Sequence, residues 1–117
     1  MNLPHDHHHE SEHLTEAIPS LEDFQIVSGL FKQLSDQSRV KIFWLLCHTE
    51  ECVLNIAAMV DMSSPAVAHH LKLLRQAGLI EGRKDGKEVY YKATTTPEAQ
   101  ALHVMIEQLM EISCPEA

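Results

Sequence analysis

Residues 61–91 read DMSSPAVAHHLKLLRQAGLIEGRKDGKEVYY, and their order decides the fold. Asp61-Met62-Ser63 is a turn. Ser64 suits the N-cap of a helix with Pro65 at its first position, where a missing N–H goes unnoticed. The helix then spans 65–77, turns Val67, Leu71 and Leu74 inward and stops at Gly78. Two strands, Leu79 to Arg83 and Glu88 to Ala93, fold about Lys84-Asp85-Gly86-Lys87 as a hairpin. A helix-turn-helix followed by a basic hairpin is a winged helix-turn-helix, which offers one helix to a DNA major groove and its wing to the flanking backbone.

Charge supports that reading. The 117 residues carry a formal net charge of −8, which argues against a general polyanion binder. Yet six of the nine Lys and Arg residues (Lys72, Arg75, Arg83, Lys84, Lys87 and Lys92) fall between positions 66 and 92. Segregated charge makes a local field that the sum conceals. Ser63, Ser64, Ala66, His69, His70, Lys72, Arg75 and Gln76 supply the small, polar and cationic groups a groove-inserted helix needs. Arg83, Lys84 and Lys87 surround the hairpin tip, and Tyr90 is placed to meet a backbone oxygen.

The flanking segments complete one domain. Residues 1–19 form a His- and Glu-rich tail, read as flexible, with His5, His7, His8, His9 and His13. The fold domain runs over 20–117. Ser20 caps a first helix with Phe24, Val27, Leu30, Phe31 and Leu34 on one face. A second helix, about 38–47, is apolar nearly all round, and a third lies near 53–60. Thr96 and Pro97 open a last helix of about 97–113. The expected architecture is therefore mainly α, about five helices with one small β-hairpin. No apolar run approaches a membrane span, and the N-terminus is no signal peptide, so the expected compartment is the cytoplasm. No nucleophilic triad, P-loop or dinucleotide fingerprint is present, so no enzyme activity is expected. His48 beside Glu50 and Glu51 reads as a polar linker rather than an acid–base pair.

Three segments together resemble the ArsR/SmtB family of metal-responsive winged helix-turn-helix repressors. They are LSDQSRVKIFWLL (34–46), SSPAVAHHLKLLRQAGLI (63–80) and RKDGKEVYYKA (83–93). The resemblance covers about 21–114. It implies a homodimer through the first and last helices, bound to double-stranded operator DNA and released by an inducer, usually a metal ion such as zinc.

The sensing residues match that family less well. On the last helix His103, Glu107, Met110 and Cys114 line one stripe. His103 and Cys114 are about 16 Å apart along the helix, so a site using both needs two antiparallel chains. The family pattern D-x-H-x10-H-x2-H/E falls on Ala101, His103, Cys114 and Ala117, which leaves two ligands missing. Glu107 is then a candidate third ligand. The plainer alternative makes His103 an interface residue and Cys114 a buried thiol. A second family site needs two thiolates, of which only Cys52 is present, with the tail histidines His5, His7, His8 and His9 as its possible assistants. Two other readings stay open: a thiol-based redox or persulfide-responsive repressor using Cys47, Cys52 and Cys114, and a His-rich metal-buffering protein.

Overall fold

The computed structural model describes residues 3–5 and 9–114. The elements are α1 (His9–Ala17), α2 (Leu21–Gln33), α3 (Gln37–His48), β1 (Glu51–Cys52), α4 (Val53–Val60), α5 (Ser64–Gln76), β2 (Ile80–Asp85), β3 (Glu88–Ala93) and α6 (Pro97–Ser113). The three strands form one antiparallel sheet in the order β1-β3-β2.

Helix α3 is the centre of the core. Asp36 caps it by accepting the Arg39 N–H at 2.9 Å, and Ile42, Phe43 and Leu46 are buried. Val67, Leu71 and Leu74 of α5, Ile56, Ala57 and Val60 of α4, and Ala99, Leu102 and Ile106 of α6 join them in the core. The Val67/Leu71/Leu74 face is the one the periodicity predicts.

Helix α5 ends as the sequence predicts. Gly78, at φ +76°, lets the chain turn so that the Leu79 N–H donates to Leu74 O and the Gly78 N–H to Arg75 O, both at 3.0 Å. This double bond pattern satisfies the last carbonyls while Leu79 plugs into the core. Its start is one residue earlier than expected. Ser63, not Ser64, is the N-cap, and its hydroxyl accepts the Ala66 N–H at 3.3 Å. The cause lies upstream: Asp61 takes the left-handed conformation at φ 55°, which leaves Ser63 as the extended residue entering the helix. Pro65 stays within the first turn, where an N–H has no helical partner.

Three further differences have local causes. The hairpin pairs as far as Asp85↔Glu88, so its connection is two residues, Gly86-Lys87, instead of four; Gly86 at φ +65° permits that tightness. Strand β1 pairs Glu51↔Tyr91 and Cys52↔Tyr90, and two residues are too few to carry a period-two pattern. Finally, His9–Ala17 is helical, giving six helices among the described residues where about five were expected. Its sequence has helix formers but no apolar face, so only propensity could have marked it.

Helix α2 opens with a reciprocal cap: Asp23 N–H to Ser20 Oγ at 3.2 Å and Ser20 N–H to Asp23 Oδ2 at 3.3 Å. Leu30 and Leu34 pack on the core. Phe24, Val27 and Phe31, from the same predicted face, remain about half exposed. The radius of gyration is 18.9 Å, against about 13 Å for a compact domain of this length. Among the described residues no helix is long and apolar enough to cross a membrane.

The cap assignment is testable. Ser63→Ala should destabilise the fold by about 1 kcal/mol in urea unfolding, whereas Ser64→Ala should change it by only a few tenths. The reverse ranking would return the cap to Ser64.

Candidate nucleic-acid interface and candidate metal site

One face of α5 is core and the other is open. Ser63, His69, Lys72, Arg75 and Gln76 are exposed, and Ser64 and Ala66 are partly so. Lys72 and Arg75 form no ion pair among the described residues. Small residues near the start of the helix and cations further along leave room for a close approach to a duplex.

His70 is turned away from that surface. Its side chain is 13% exposed. The Arg39 guanidinium lies 3.3 Å from its Nδ1, and Asp36 Oδ2 is 3.7 Å from its Nε2. Arg39 also donates to Gln33 O at 2.7 Å and Lys32 O at 3.2 Å. One side chain thus ties the end of α2 to the start of α3 and to α5. His70 is thus held between Arg39 and Asp36 and is not exposed with Lys72 and Arg75.

On the wing, Lys84 and Lys87 are exposed at the tip. Arg83 is braced, with Glu50 Oε1 at 2.7 Å and Asp85 Oδ2 at 3.5 Å. Its guanidinium sits 5.3 Å from the centre of the Tyr90 ring. The Arg83 hydrogen bond holds the Glu50 carboxyl below the usual carboxylate range. Lys92 pairs across the sheet with Glu81 at 3.7 Å.

The candidate metal ligands are redistributed. His103 and Glu107 lie one turn apart on α6, with Nε2 to Oε1 at 3.2 Å. Their third partner is His48, at the end of α3: its Nε2 is 3.2 Å from Glu107 Oε1 and 3.3 Å from His103 Nε2. The Trp44 indole N–H donates to the same Glu107 oxygen at 2.7 Å. Hydrogen bonds from Trp44 and His48 lower the Glu107 carboxyl's pKa. Sequence reading passed over His48 as linker, because its partners are 55 and 59 residues away. The available signal was its place at the end of a buried helix.

Cys114 caps the far end of α6 and is exposed, not buried as the plainer alternative supposed. Cys52 is buried on β1. Cys47 is half-buried, and burial followed by the Glu107 charge pushes its thiol up to about 11, which keeps it protonated at neutral pH. Of the tail, His5 is exposed; His7 and His8 lie outside the described residues, as does the side chain of His9. Among the described residues, the one grouping of three metal-capable side chains is His48, His103 and Glu107.

The chain is 39% identical over 85 residues to the arsenical resistance operon repressor of Escherichia coli, covering 72% of this chain and 73% of that protein. It belongs to the arsR family of bacterial regulatory proteins. The family's sequence profile matches residues 36–82, from the α3 cap to the first half of the wing. The cadmium resistance transcriptional regulatory protein CadC of Listeria innocua is 47% identical over 70 residues. That match spans only 59% of either chain. In three dimensions HlyU from Vibrio cholerae superposes with a TM-score of 0.69 at 26% identity, covering 81% of this chain and 99% of that one. The arsR-family motif therefore coincides with the elements that display the α5 surface.

The Arg39–His70–Asp36 contact gives a pH prediction. Burial lowers the His70 pKa; Asp36 opposes this, while Arg39 and His69 add to it. The unfolded chain therefore takes up this proton first. The stabilisation is complete above the ordinary histidine value and is lost as pH falls through the lowered one. The unfolding free energy of the native chain should fall from about pH 7 to about pH 5 more steeply than that of His70→Gln. Equal slopes would contradict a neutral His70 whose pKa is lowered.

Proposed function

We propose that this arsR-family chain is a homodimeric DNA-binding transcriptional repressor, released from its operator by a transition-metal ion. The observation that carries the DNA reading is Lys72 and Arg75 on α5, exposed and without an ion pair among the described residues, beside Lys84 and Lys87 on the wing, in a chain whose net charge is −8. A surface kept cationic in an acidic protein fits a polyanion of defined shape. The two relatives whose names state a role are resistance regulators, which agrees with repression.

Exposed apolar surface supports the dimer reading. Phe24, Val27 and Phe31 of α2 and Val104, Leu109 and Ile112 of α6 face solvent in the single chain. A groove between Phe31, Leu34, Met105, Ile106 and Leu109 joins the two helices. Contiguous apolar surface of this kind marks an interface, and a second copy of α2 and α6 is its natural cover. Two-fold symmetry then sets two α5 helices into successive major grooves about 34–36 Å apart.

A metal effector fits the donor set. Two imidazoles and a carboxylate suit zinc and its borderline neighbours better than a soft ion that demands thiolates. When bound, the cation supplies a fixed positive centre that draws its ligands together. A thiol-switch reading is weakened by Cys47, which is held protonated, and by Cys52, which is buried. Residues 1–19 are proposed as an accessory tail outside the DNA-binding unit, so their deletion should leave DNA affinity within about twofold.

Binding to duplex DNA selected from a random pool tests the reading. The affinity should fall linearly with salt on logarithmic axes, and Lys72→Ala and Arg75→Ala should each weaken it and reduce the slope by about one. A salt-insensitive complex, or slopes unaffected by both variants, would exclude α5 as the contact.

A further inference from the structure

We infer that this chain holds its metal ion within one protomer, on His48, His103 and Glu107, and so pins α3 to α6. This rests on the metal-responsive reading only for its regulatory consequence. The site itself rests on geometry.

His48 Nε2, His103 Nε2 and Glu107 Oε1 are 3.2, 3.2 and 3.3 Å apart. Zinc bonds of about 2.0–2.1 Å to nitrogen or oxygen place the corners of a tetrahedron about 3.3–3.4 Å apart. The three atoms thus outline one face of a zinc tetrahedron before any ion arrives. His48 is exposed, so the fourth corner is open to a water molecule.

Without an ion, both imidazole N–H groups can donate to Glu107 Oε1. With both Nε2 atoms deprotonated, the same three atoms direct lone pairs at one centre, the arrangement a cation needs. The Trp44 N–H on Glu107 Oε1 at 2.7 Å orients the carboxylate from outside, as partners of metal ligands do. The rings are held as well: Trp44 lies 4.5 Å and His103 5.0 Å from the His48 ring centre.

This site differs from the one that family resemblance places across the dimer. That site needs Cys114 of one chain to meet His103 of the other. Here His48 takes the place of the thiol, and the ligand set is complete to three without the partner. The class of ligand is a borderline divalent cation with a preference for four-coordination, zinc or cobalt(II).

The chain's single tryptophan is Trp44, so its emission reports this site and not the histidine tail. Zinc added to the metal-free full-length protein should change Trp44 emission and saturate at one ion per chain. Cobalt(II) should give the visible absorption of a tetrahedral ion. His48→Ala and Glu107→Gln should each weaken zinc binding by at least about 10- to 100-fold, the scale that changes to outer-shell partners alone reach. Cys114→Ala should bind within about threefold of the native protein. Since His48 is exposed, its truncation opens no core cavity, and Glu107→Gln keeps the side-chain shape; circular dichroism checks both. Native-strength zinc binding by His48→Ala, or its loss in Cys114→Ala, would overturn the inference in favour of an intersubunit site. Metal-free variants assayed on DNA separate the two readings: DNA binding without a Trp44-reported zinc site sinks this inference alone, and zinc binding without DNA binding sinks the repressor reading alone.

Discussion

Helix α3 is apolar on nearly every side, and burying it is the constraint from which the rest of the structure follows. Ile42 and Phe43 are fully buried and Leu46 almost so, which forces α4, α5, α6 and the sheet to surround them. Each end of the same helix then carries polar work. At the N-terminal end, Asp36 and Arg39 hold His70 and so set the angle of α5. At the C-terminal end, Trp44 and His48 meet Glu107 and His103 of α6. One rigid rod therefore links the proposed reading head to the proposed dimer helix.

The acidic balance of the chain and its cationic face are reconciled by bracing. Arg83 is shared between Glu50 and Asp85, whereas Lys72, Arg75, Lys84 and Lys87 are left exposed. Exposed ion pairs of this sort contribute little stability. Their effect is orientation: Glu50, two residues beyond His48, fixes the wing against the end of α3. The proposed metal centre and the wing thus meet at one short segment, 48–50.

Legibility in the sequence followed the range of the interactions. The α5 stop at Gly78, the Thr96–Pro97 start of α6 and the buried face of α5 were readable because each is encoded within a few residues. The N-cap slipped by one because adjacent serines offer the same chemistry, and the Asp61 backbone chose between them. Strand β1 and helix α1 lacked any periodic pattern. The surroundings of His48 and His70 were not legible for a different reason: what lies beside a histidine depends on tertiary packing. His70, read as a base contact, lies against Arg39 and Asp36; His48, read as linker, joins the one metal-capable cluster among the described residues.

In the proposed mechanism a cation bridging α3 and α6 changes how the dimer holds DNA. Coupling of that kind requires different metal affinity in two quaternary states and is typically worth about 1–3 kcal/mol. Fluorescence anisotropy of labelled operator DNA, titrated with the dimer in the absence and presence of one zinc per chain, measures it directly. Affinity should fall by at least about tenfold on zinc addition with the dimer intact. Equal affinity with zinc bound at His48, His103 and Glu107 would contradict it.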